Sequence, residues 1–243
     1  MSLPESTLRA FLARVPTTGH LLDLGCGDGA NLARIASIRP DLHLAGVDIS
    51  TGDLERARQS VPDAELHHAG GDNLPFPDGQ FDAITCLEMI EHVPRQLRSD
   101  VVAQARRVAK PHARLILSTP HTGAFQWLDA QNMRHRFPRL YRAVASGSKR
   151  DREYAGQQEV VWHHHFTCGE LEDLLRSRWQ LLEVSYPTLL IAPLADLLSF
   201  PFHRAGRLDH PIARGMAAMA AWESRHDFGP RLGAGIRIVA GAI

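Results

Sequence analysis

Short apolar runs alternate with amphipathic segments along the first half of the chain. These runs predict five strands, of which the first ends at glycines and is expected to be buried: HLLDLG, LHLAGVDI, AELHHAG, FDAITCLEM and ARLILSTP. The segments between or before them predict helices: LPESTLRAFLARV, ANLARIASI, TGDLERARQSV and LRSDVVAQARRVAK. Strands that alternate with helices predict an α/β fold whose parallel sheet is joined by right-handed crossovers.

The second half of the chain is less regular. Residues 121–161 are polar and rich in arginine and aromatics, which predicts a lid inserted after the fifth strand. TCGELEDLLRSR predicts a helix with a capping box of Thr167 and Glu170. WQLLEVSYP and GAGIRIVAGAI predict two last strands that pair antiparallel at one sheet edge, separated by an apolar insertion over residues 187–229. We therefore expect one domain, residues 1–243, with a mostly parallel seven-stranded sheet and helices on both faces.

The amino-acid composition argues against several classes of function. The 27 basic and 27 acidic residues balance, which argues against strong non-specific binding of nucleic acid. The three cysteines are far apart and lack CxxC spacing, so a disulfide framework or zinc knuckle is not expected and a reducing, cytoplasmic location fits. The first residues lack a signal-peptide pattern, and no apolar run is long enough for a transmembrane helix.

A glycine-rich loop follows the first predicted strand, in LLDLGCGDGANL. Gly25, Gly27 and Gly29 permit a tight turn and close approach of the backbone to a ligand. Acids stand at three successive strand ends, which converge at the carboxyl edge of a parallel sheet: Asp23, Asp48 and Asp72. Asp23 could meet a cationic amino group, Asp48 could accept both hydroxyls of a ribose, and Asp72 could accept the amino group of adenine.

The series LDLGCGDG, GVDIS, GDNLPFPDGQFDAITC and LILSTP resembles, in order, the motifs of class I S-adenosylmethionine-dependent methyltransferases. The resemblance covers roughly residues 15–120 and implies a Rossmann-like fold that binds S-adenosylmethionine. A dinucleotide site is the main competitor, but it would usually show G-x-G-x-x-G spacing, and Asp28 would crowd a pyrophosphate. The resemblance places the methionine moiety at the glycine loop and predicts these cofactor contacts: Asp23, Gly25, Cys26, Gly27, Gly29, Asp48, Ile49, Asp72, Asn73, Leu74 and Leu87.

A possible metal site follows the fourth predicted strand, in CLEMIEHVP. If this segment opens a helix, Glu88, Glu91 and His92 lie on one face, as two carboxylates and an imidazole that suit a divalent cation. A cation that binds a hydroxyl oxygen lowers its pKa, whereas without metal a histidine could act as general base. The same spacing is also typical of a solvated helix face. The run His163–His165 is equally typical of an ordinary surface loop.

The E-x-x-E-H turn with a later His-x-Phe resembles two methyltransferase groups: the small-RNA 3′-terminal 2′-O-methyltransferases and the ubiquinone-pathway O-methyltransferases. This resemblance implies Glu88, Glu91, His92 and His164 as ligands of magnesium or a similar cation, with His163 or His165 as substitutes for His164. It also makes His92, His164 and Glu88 the candidate catalytic residues. The R-x-x-D-H-R-F-E-W run of the small-RNA group is absent, which makes an RNA substrate doubtful.

The leading hypothesis is therefore an O-methyltransferase of a small hydroxylated metabolite such as a sugar, a phenol or a lipid-linked intermediate, with a divalent metal as a candidate helper. The alternatives are RNA 2′-O-methylation, metal-free N- or C-methylation, and a degenerate fold that only binds partners. The basic lid could bind a phosphate or carboxylate of the acceptor, or be a solvated face. The apolar insertion could line the acceptor pocket, form a homodimer interface or touch a membrane surface.

Overall fold

The computed structural model describes residues 3–124, 164–187, 210–223 and 225–243. Most of the predicted lid, His163 and much of the apolar insertion lie outside these residues. The chain divides into two compact units. The first, here called the sheet unit, comprises Met1–Thr119, Thr167–Ser185 and Arg237–Ile243. The second unit comprises Pro120–Phe166 and Tyr186–Ile236.

The sheet has seven strands in the order β3-β2-β1-β4-β5-β7-β6. The first four neighbouring pairs, from β3-β2 to β4-β5, are parallel, whereas β6 and β7 pair antiparallel at one edge. This confirms the predicted mostly parallel sheet with an antiparallel edge strand. The strands are β1 His20–Leu24, β2 His43–Asp48, β3 Glu65–His68, β4 Phe81–Leu87, β5 Ala109–Pro120, β6 Trp179–Ser185 and β7 Gly235–Ala242.

Helices connect the strands and form part of the second unit. Two begin at side-chain caps: Ser50 accepts a hydrogen bond from the Asp53 N–H, and Thr167 and Glu170 form the predicted capping box. Pro4 precedes the first helix, which ends earlier than predicted. The helices are α1 Glu5–Leu12, α2 Ala30–Ile38, α3 Thr51–Ser60, α4 Arg98–Val108, α5 Cys168–Leu175, α6 Pro211–Glu223 and α7 Gly229–Leu232.

The central strands are buried on both faces. Leu21, Leu22, Asp23 and Leu24 are consecutive in β1 and each is at most 1% exposed. Because side chains alternate between the faces of a strand, both faces of β1 are covered, as expected for a parallel sheet between helices. The core therefore fixes the carboxyl ends of these strands, where the candidate site lies.

The second unit contains α6 and α7 and a buried histidine just after β5. The ring of His121 lies with Nδ1 2.7 Å from the carbonyl oxygen of Phe166 and Nε2 2.9 Å from that of Pro230. Its backbone N–H donates to the carbonyl of Ala234. One side chain thus connects three separate segments of this unit. In the described part of the chain, no helix has the length and apolar character needed to cross a membrane.

Candidate active site

The loop between β1 and α2 is fixed by the sheet beside it. The backbone N–H groups of Gly25 and Cys26 both donate to the carbonyl of Val47 in β2. Gly25 and Gly27 have φ angles of 73° and 52°, in the left-handed region that favours glycine. A Cβ atom on Gly27 would meet nothing within 4 Å, so the backbone there borders open space. The loop therefore has room for a ligand close to its backbone, and the ligand contact itself stays a prediction.

Asp48 joins this loop to the end of β2. Its Oδ2 atom accepts a hydrogen bond from the Gly27 N–H, and its Oδ1 atom accepts one from the Ser50 N–H, each at 2.8 Å. The carboxylate therefore has a fixed orientation before any ligand binds. Each oxygen has a second lone pair with which to accept a ligand hydroxyl. Ile49, the next residue, is 64% exposed and offers an apolar surface beside it.

Asp23 is a buried acid at the end of β1. Its Oδ1 atom accepts a hydrogen bond from the Thr85 hydroxyl at 2.6 Å, but its Oδ2 atom has no partner among the described residues. Burial raises the pKa of Asp23 from 3.8 to about 7; the negative charge of Asp48 adds to the rise and the Thr85 hydrogen bond opposes it. A buried, half-satisfied carboxylate is a suitable partner for the ammonium group of a bound amino acid.

The remaining predicted cofactor residues occupy different environments. Asp72 was predicted to end the third strand, but β3 ends at His68 and Asp72 lies in the turn beyond it, partly exposed. Asn73 beside it is exposed. Gly29 is the N-cap of α2, and an added Cβ there would lie 3.1 Å from Ala57, so this glycine serves helix packing. The side chains of three others belong to the core: Cys26, Leu74 and Leu87.

The E-x-x-E-H segment after β4 is not a helical face. Glu88 has a φ of 54°, and only a single 3₁₀ turn follows it, over Ile90–His92. Glu91 is fully buried, whereas the side chain of His92 is 51% exposed. The prediction that these residues share one face of a helix is therefore wrong, because the left-handed residue breaks the helical path before the turn begins. The segment is called the acceptor turn below, residues 88–92.

Two hydroxyl groups at the end of β5 hold the glutamates of the acceptor turn. The Ser118 hydroxyl donates to Glu88 Oε1 at 2.8 Å, and the Thr119 hydroxyl donates to Glu91 Oε2 at 3.1 Å. Sequence reasoning missed both residues. The signal was present in LILSTP, since two adjacent hydroxyl residues follow a run of apolar ones at a carboxyl strand end.

The predicted metal ligands lie in the acceptor turn and beside Phe166. Within the ranges that the structure describes, no three His, Cys, Asp or Glu side chains are grouped closely enough to hold a metal ion. Glu88 and Glu91 interact with hydroxyl groups instead. His164 belongs to the second unit, where its ring lies edge-on to that of Phe166 at 4.5 Å. The other three predicted ligands, Glu88, Glu91 and His92, belong to the sheet unit.

Residues 21–112 match the methyltransferase domain family. The match covers the glycine loop, Asp48, Asp72 and the acceptor turn. The chain carries a class I S-adenosylmethionine-dependent methyltransferase domain. Its sheet order and antiparallel edge agree with that assignment, and the matched region lies within the span that the motifs indicated.

Known methyltransferases resemble the same region. The 27-O-demethylrifamycin SV methyltransferase of Amycolatopsis mediterranei is 37% identical over 48% of this chain and 46% of its own. The ubiquinone biosynthesis O-methyltransferase of Thiobacillus denitrificans is 36% identical over 50% of this chain and 53% of its own. The methyltransferase region thus spans about half the length of these curated relatives.

The fold has a solved counterpart over nearly its whole length. The SAM-dependent methyltransferase structure from Methanosarcina mazei aligns with a TM-score of 0.57 over 94% of each chain, at 20% identity. At that identity the likeness concerns the fold alone. The substrate must therefore be argued from the site of this chain rather than from its neighbours.

Proposed function

We propose that this protein transfers a methyl group from S-adenosylmethionine to a hydroxyl oxygen of a small molecule. The observation that carries the proposal is the prearranged pair of acids at the glycine loop. Asp48 is oriented by two backbone N–H groups and can receive the ribose hydroxyls. Asp23 presents to the amino group a buried oxygen that has no partner among the described residues. The site thus has one feature for each part of this cofactor: the glycine loop for the methionine moiety, Asp48 for the ribose and Asp23 for the amino group.

The residues of the chain have separate tasks in this reaction. S-adenosylmethionine supplies a methyl group that its sulfonium already activates, so the protein mainly aligns the attacking oxygen. The glycine loop and the two aspartates orient the cofactor, and the acceptor turn provides polar groups for the nucleophile. Glu88 is partly exposed and His92 half exposed, so both are candidates to receive the hydroxyl proton as methyl transfer proceeds.

Oxygen is favoured as the nucleophile by the polar groups of the acceptor turn and by the two relatives. One of them is called an O-methyltransferase, and the other is named for a 27-O-demethyl compound. A hydroxyl nucleophile must lose its proton as it is methylated, and the acceptor turn provides groups that can take up that proton. We therefore propose phenols, sugars and lipid-linked hydroxyl compounds as the first classes to test.

Assistance by a divalent metal is a finer proposal that rests on the sequence motif alone. Its candidate ligands are Glu88, Glu91, His92 and His164, and the hydroxyls of Ser118 and Thr119 donate to one oxygen of each glutamate. The test is elemental analysis of the purified protein, together with methyl transfer measured before and after exhaustive chelation. Activity lost on chelation and restored by Mg²⁺ supports the metal, and full activity in excess chelator rejects it.

The function is tested by binding and by transfer. Calorimetry should show that the protein binds S-adenosylhomocysteine, and tritiated S-adenosylmethionine should label members of a panel of phenols, sugars and isoprenoid quinols. A short RNA with an intact or periodate-oxidised 3′ end tests the alternative acceptor, and amine and carbon nucleophiles test the others. Absence of cofactor binding would refute the proposal. Gel filtration and liposome flotation test the predicted homodimer and membrane contact.

A further inference from the structure

We propose that Ser118 is a positioning residue that holds Glu88 in a left-handed conformation, so that the Glu88 carboxylate receives the hydroxyl of the methyl acceptor. This inference rests on the proposed function and adds to it a residue that the E-x-x-E-H motif does not contain. Ser118 holds Glu88 twice. Its carbonyl oxygen accepts the Glu88 N–H at 2.9 Å, and its hydroxyl donates to Glu88 Oε1 at 2.8 Å.

The conformation of Glu88 needs such support. Its φ of 54° lies in the region that L-residues other than glycine, asparagine and aspartate rarely adopt. Strained residues persist where surrounding contacts over-determine them, and such residues cluster at functional sites. The two bonds to Ser118 fix both the backbone and the side chain of Glu88, so they account for how the strain is maintained.

The position of Glu88 relates this strain to the cofactor loop. In the register of the sheet, Cys86 of β4 is paired with Leu24 of β1, so the acceptor turn begins beside the glycine loop. A Cβ atom on Gly25 would lie 2.5 Å from the side chain of Met89, which shows how closely the two segments approach. Leu87 is paired with Ser118 on the other side. Glu88 therefore leaves the sheet between the cofactor loop and the end of β5.

The neighbouring pair on β5 has a different character. Thr119 donates to Glu91, but both residues are at most 1% exposed, so neither carboxylate nor hydroxyl faces solvent. Glu88 is partly exposed. Of the two glutamates, Glu88 is therefore the one placed to meet a small molecule, and the Glu91–Thr119 pair anchors the turn from within.

The chemical step assigned to Glu88 is proton removal. The acceptor oxygen forms a bond to the methyl carbon while the bond from that carbon to sulfur breaks, and the sulfonium becomes a neutral thioether. The hydroxyl proton passes to the Glu88 carboxylate, which later releases it to water. Ser118 takes no part in bond making, but its hydrogen bond keeps the carboxylate turned toward the acceptor.

The experiment compares three substitutions in full-length protein, assayed on the panel compound that wild type methylates fastest. Ser118→Ala removes the hydroxyl, Ser118→Thr retains one, and Glu88→Gln removes the charge. Ser60→Ala is the control, because its hydroxyl lies exposed at the end of α3. Ser118→Ala should lower kcat/KM for the acceptor about tenfold, the loss expected for one charge-assisted hydrogen bond, and leave the Kd for S-adenosylhomocysteine within about twofold.

A positioning role of Ser118 predicts two further results. Ser118→Thr should regain most of the activity, and adding Ser118→Ala to Glu88→Gln should cost little more than Glu88→Gln alone, since the two residues act as one unit. Full activity in Ser118→Ala, or additive losses in the double variant, overturns the role of Ser118 only. Wild type that binds no cofactor, or methylates no compound, overturns the proposed function together with this inference.

Discussion

Asp48 and Gly27 form a single rigid contact, with the Asp48 Oδ2 atom 2.8 Å from the Gly27 backbone nitrogen. The acid that ends β2 thereby braces the loop that follows β1. Because the other oxygen of Asp48 accepts the Ser50 N–H, the proposed ribose acceptor and the glycine loop are held as one structure. A substitution at Asp48 changes both parts at once.

Replacement of Asp48 by alanine should weaken binding of S-adenosylhomocysteine by at least about 100-fold, because two charge-assisted hydrogen bonds to the ligand and the brace of the loop are lost together. Asp48→Asn should bind S-adenosylhomocysteine more tightly than Asp48→Ala does, since asparagine retains one carbonyl oxygen. Titration calorimetry measures both. Asp63→Ala, in an exposed turn, is the control and should bind as wild type does. Equal affinity of Asp48→Ala and wild type would remove the ribose role of Asp48.

Cofactor binding should release a proton near pH 6.5. Burial raises the pKa of free Asp23 to about 7, so at that pH the carboxyl is largely protonated, and pairing with the cofactor's ammonium group requires its charged form. Calorimetry in two buffers of different ionisation enthalpy counts this proton. The release should shrink toward pH 8.5, where Asp23 is already ionised. The same heat in both buffers at pH 6.5 would contradict pairing with Asp23.

Asp23 should also set a pH dependence of stability in the ligand-free protein. The pKa of Asp23 in the folded protein lies above the unfolded value of 3.8. As the pH rises, the unfolded chain therefore loses this proton at a lower pH than the folded protein does. Its contribution to the free energy of unfolding is therefore complete at low pH and falls as the pH rises from about 4 to about 7, by roughly 4 kcal/mol at most. Asp23→Asn should raise the Tm of ligand-free protein at pH 8 while it abolishes cofactor binding.

The features that could be predicted from the sequence are the regular helices and strands and their caps. Strand and helix periods predicted the mostly parallel seven-stranded sheet with its antiparallel edge, and the predicted Thr167–Glu170 capping box is confirmed. The failure came at Glu88. Its spacing to Glu91 matched a helix, but contacts with β5, which lies 30 residues later in the chain, hold it outside helical space. Local periodicity contains no information about such a long-range partner.

The strain at Glu88 can be measured by comparing two truncations. Glu88→Ala and Glu88→Gly both remove the carboxylate and its bond to Ser118, so they differ only in the cost of a φ of 54°. At an ordinary position glycine is the less stable of the two; here Glu88→Gly should be more stable than Glu88→Ala by about 1 kcal/mol. Urea unfolding gives the difference. A less stable glycine variant would show that residue 88 is not left-handed in solution.

Both truncations should be poor catalysts whatever their stability. The strain at residue 88 lowers stability but places the carboxylate that activity needs. Both variants lack that carboxylate, so the more stable Glu88→Gly should be no more active than Glu88→Ala. The assay is methyl transfer to the best panel compound, with cofactor affinity as the control for folding. High activity in either truncation would transfer the proton-accepting role to His92.

His121 should determine the local stability of the second unit. Its two ring nitrogens lie within hydrogen-bond distance of the carbonyl oxygens of Phe166 and Pro230, and carbonyls only accept. His121→Ala should leave two carbonyls without these donors, at about 1–3 kcal/mol for each group that stays buried.

Hydrogen exchange can locate this effect within the chain. In His121→Ala, amides near Phe166 and over Gly229–Leu232 should exchange faster, because the segments held by the ring are released together. Amides of β1 and β4 should keep their wild-type protection, since His121 belongs to the second unit and those strands to the sheet unit. His226→Ala is the matched control: His226 lies in the same unit and also contacts a backbone carbonyl, but it is exposed. Equal exchange in the two variants would mean that the buried histidine adds no more to this unit than an exposed one.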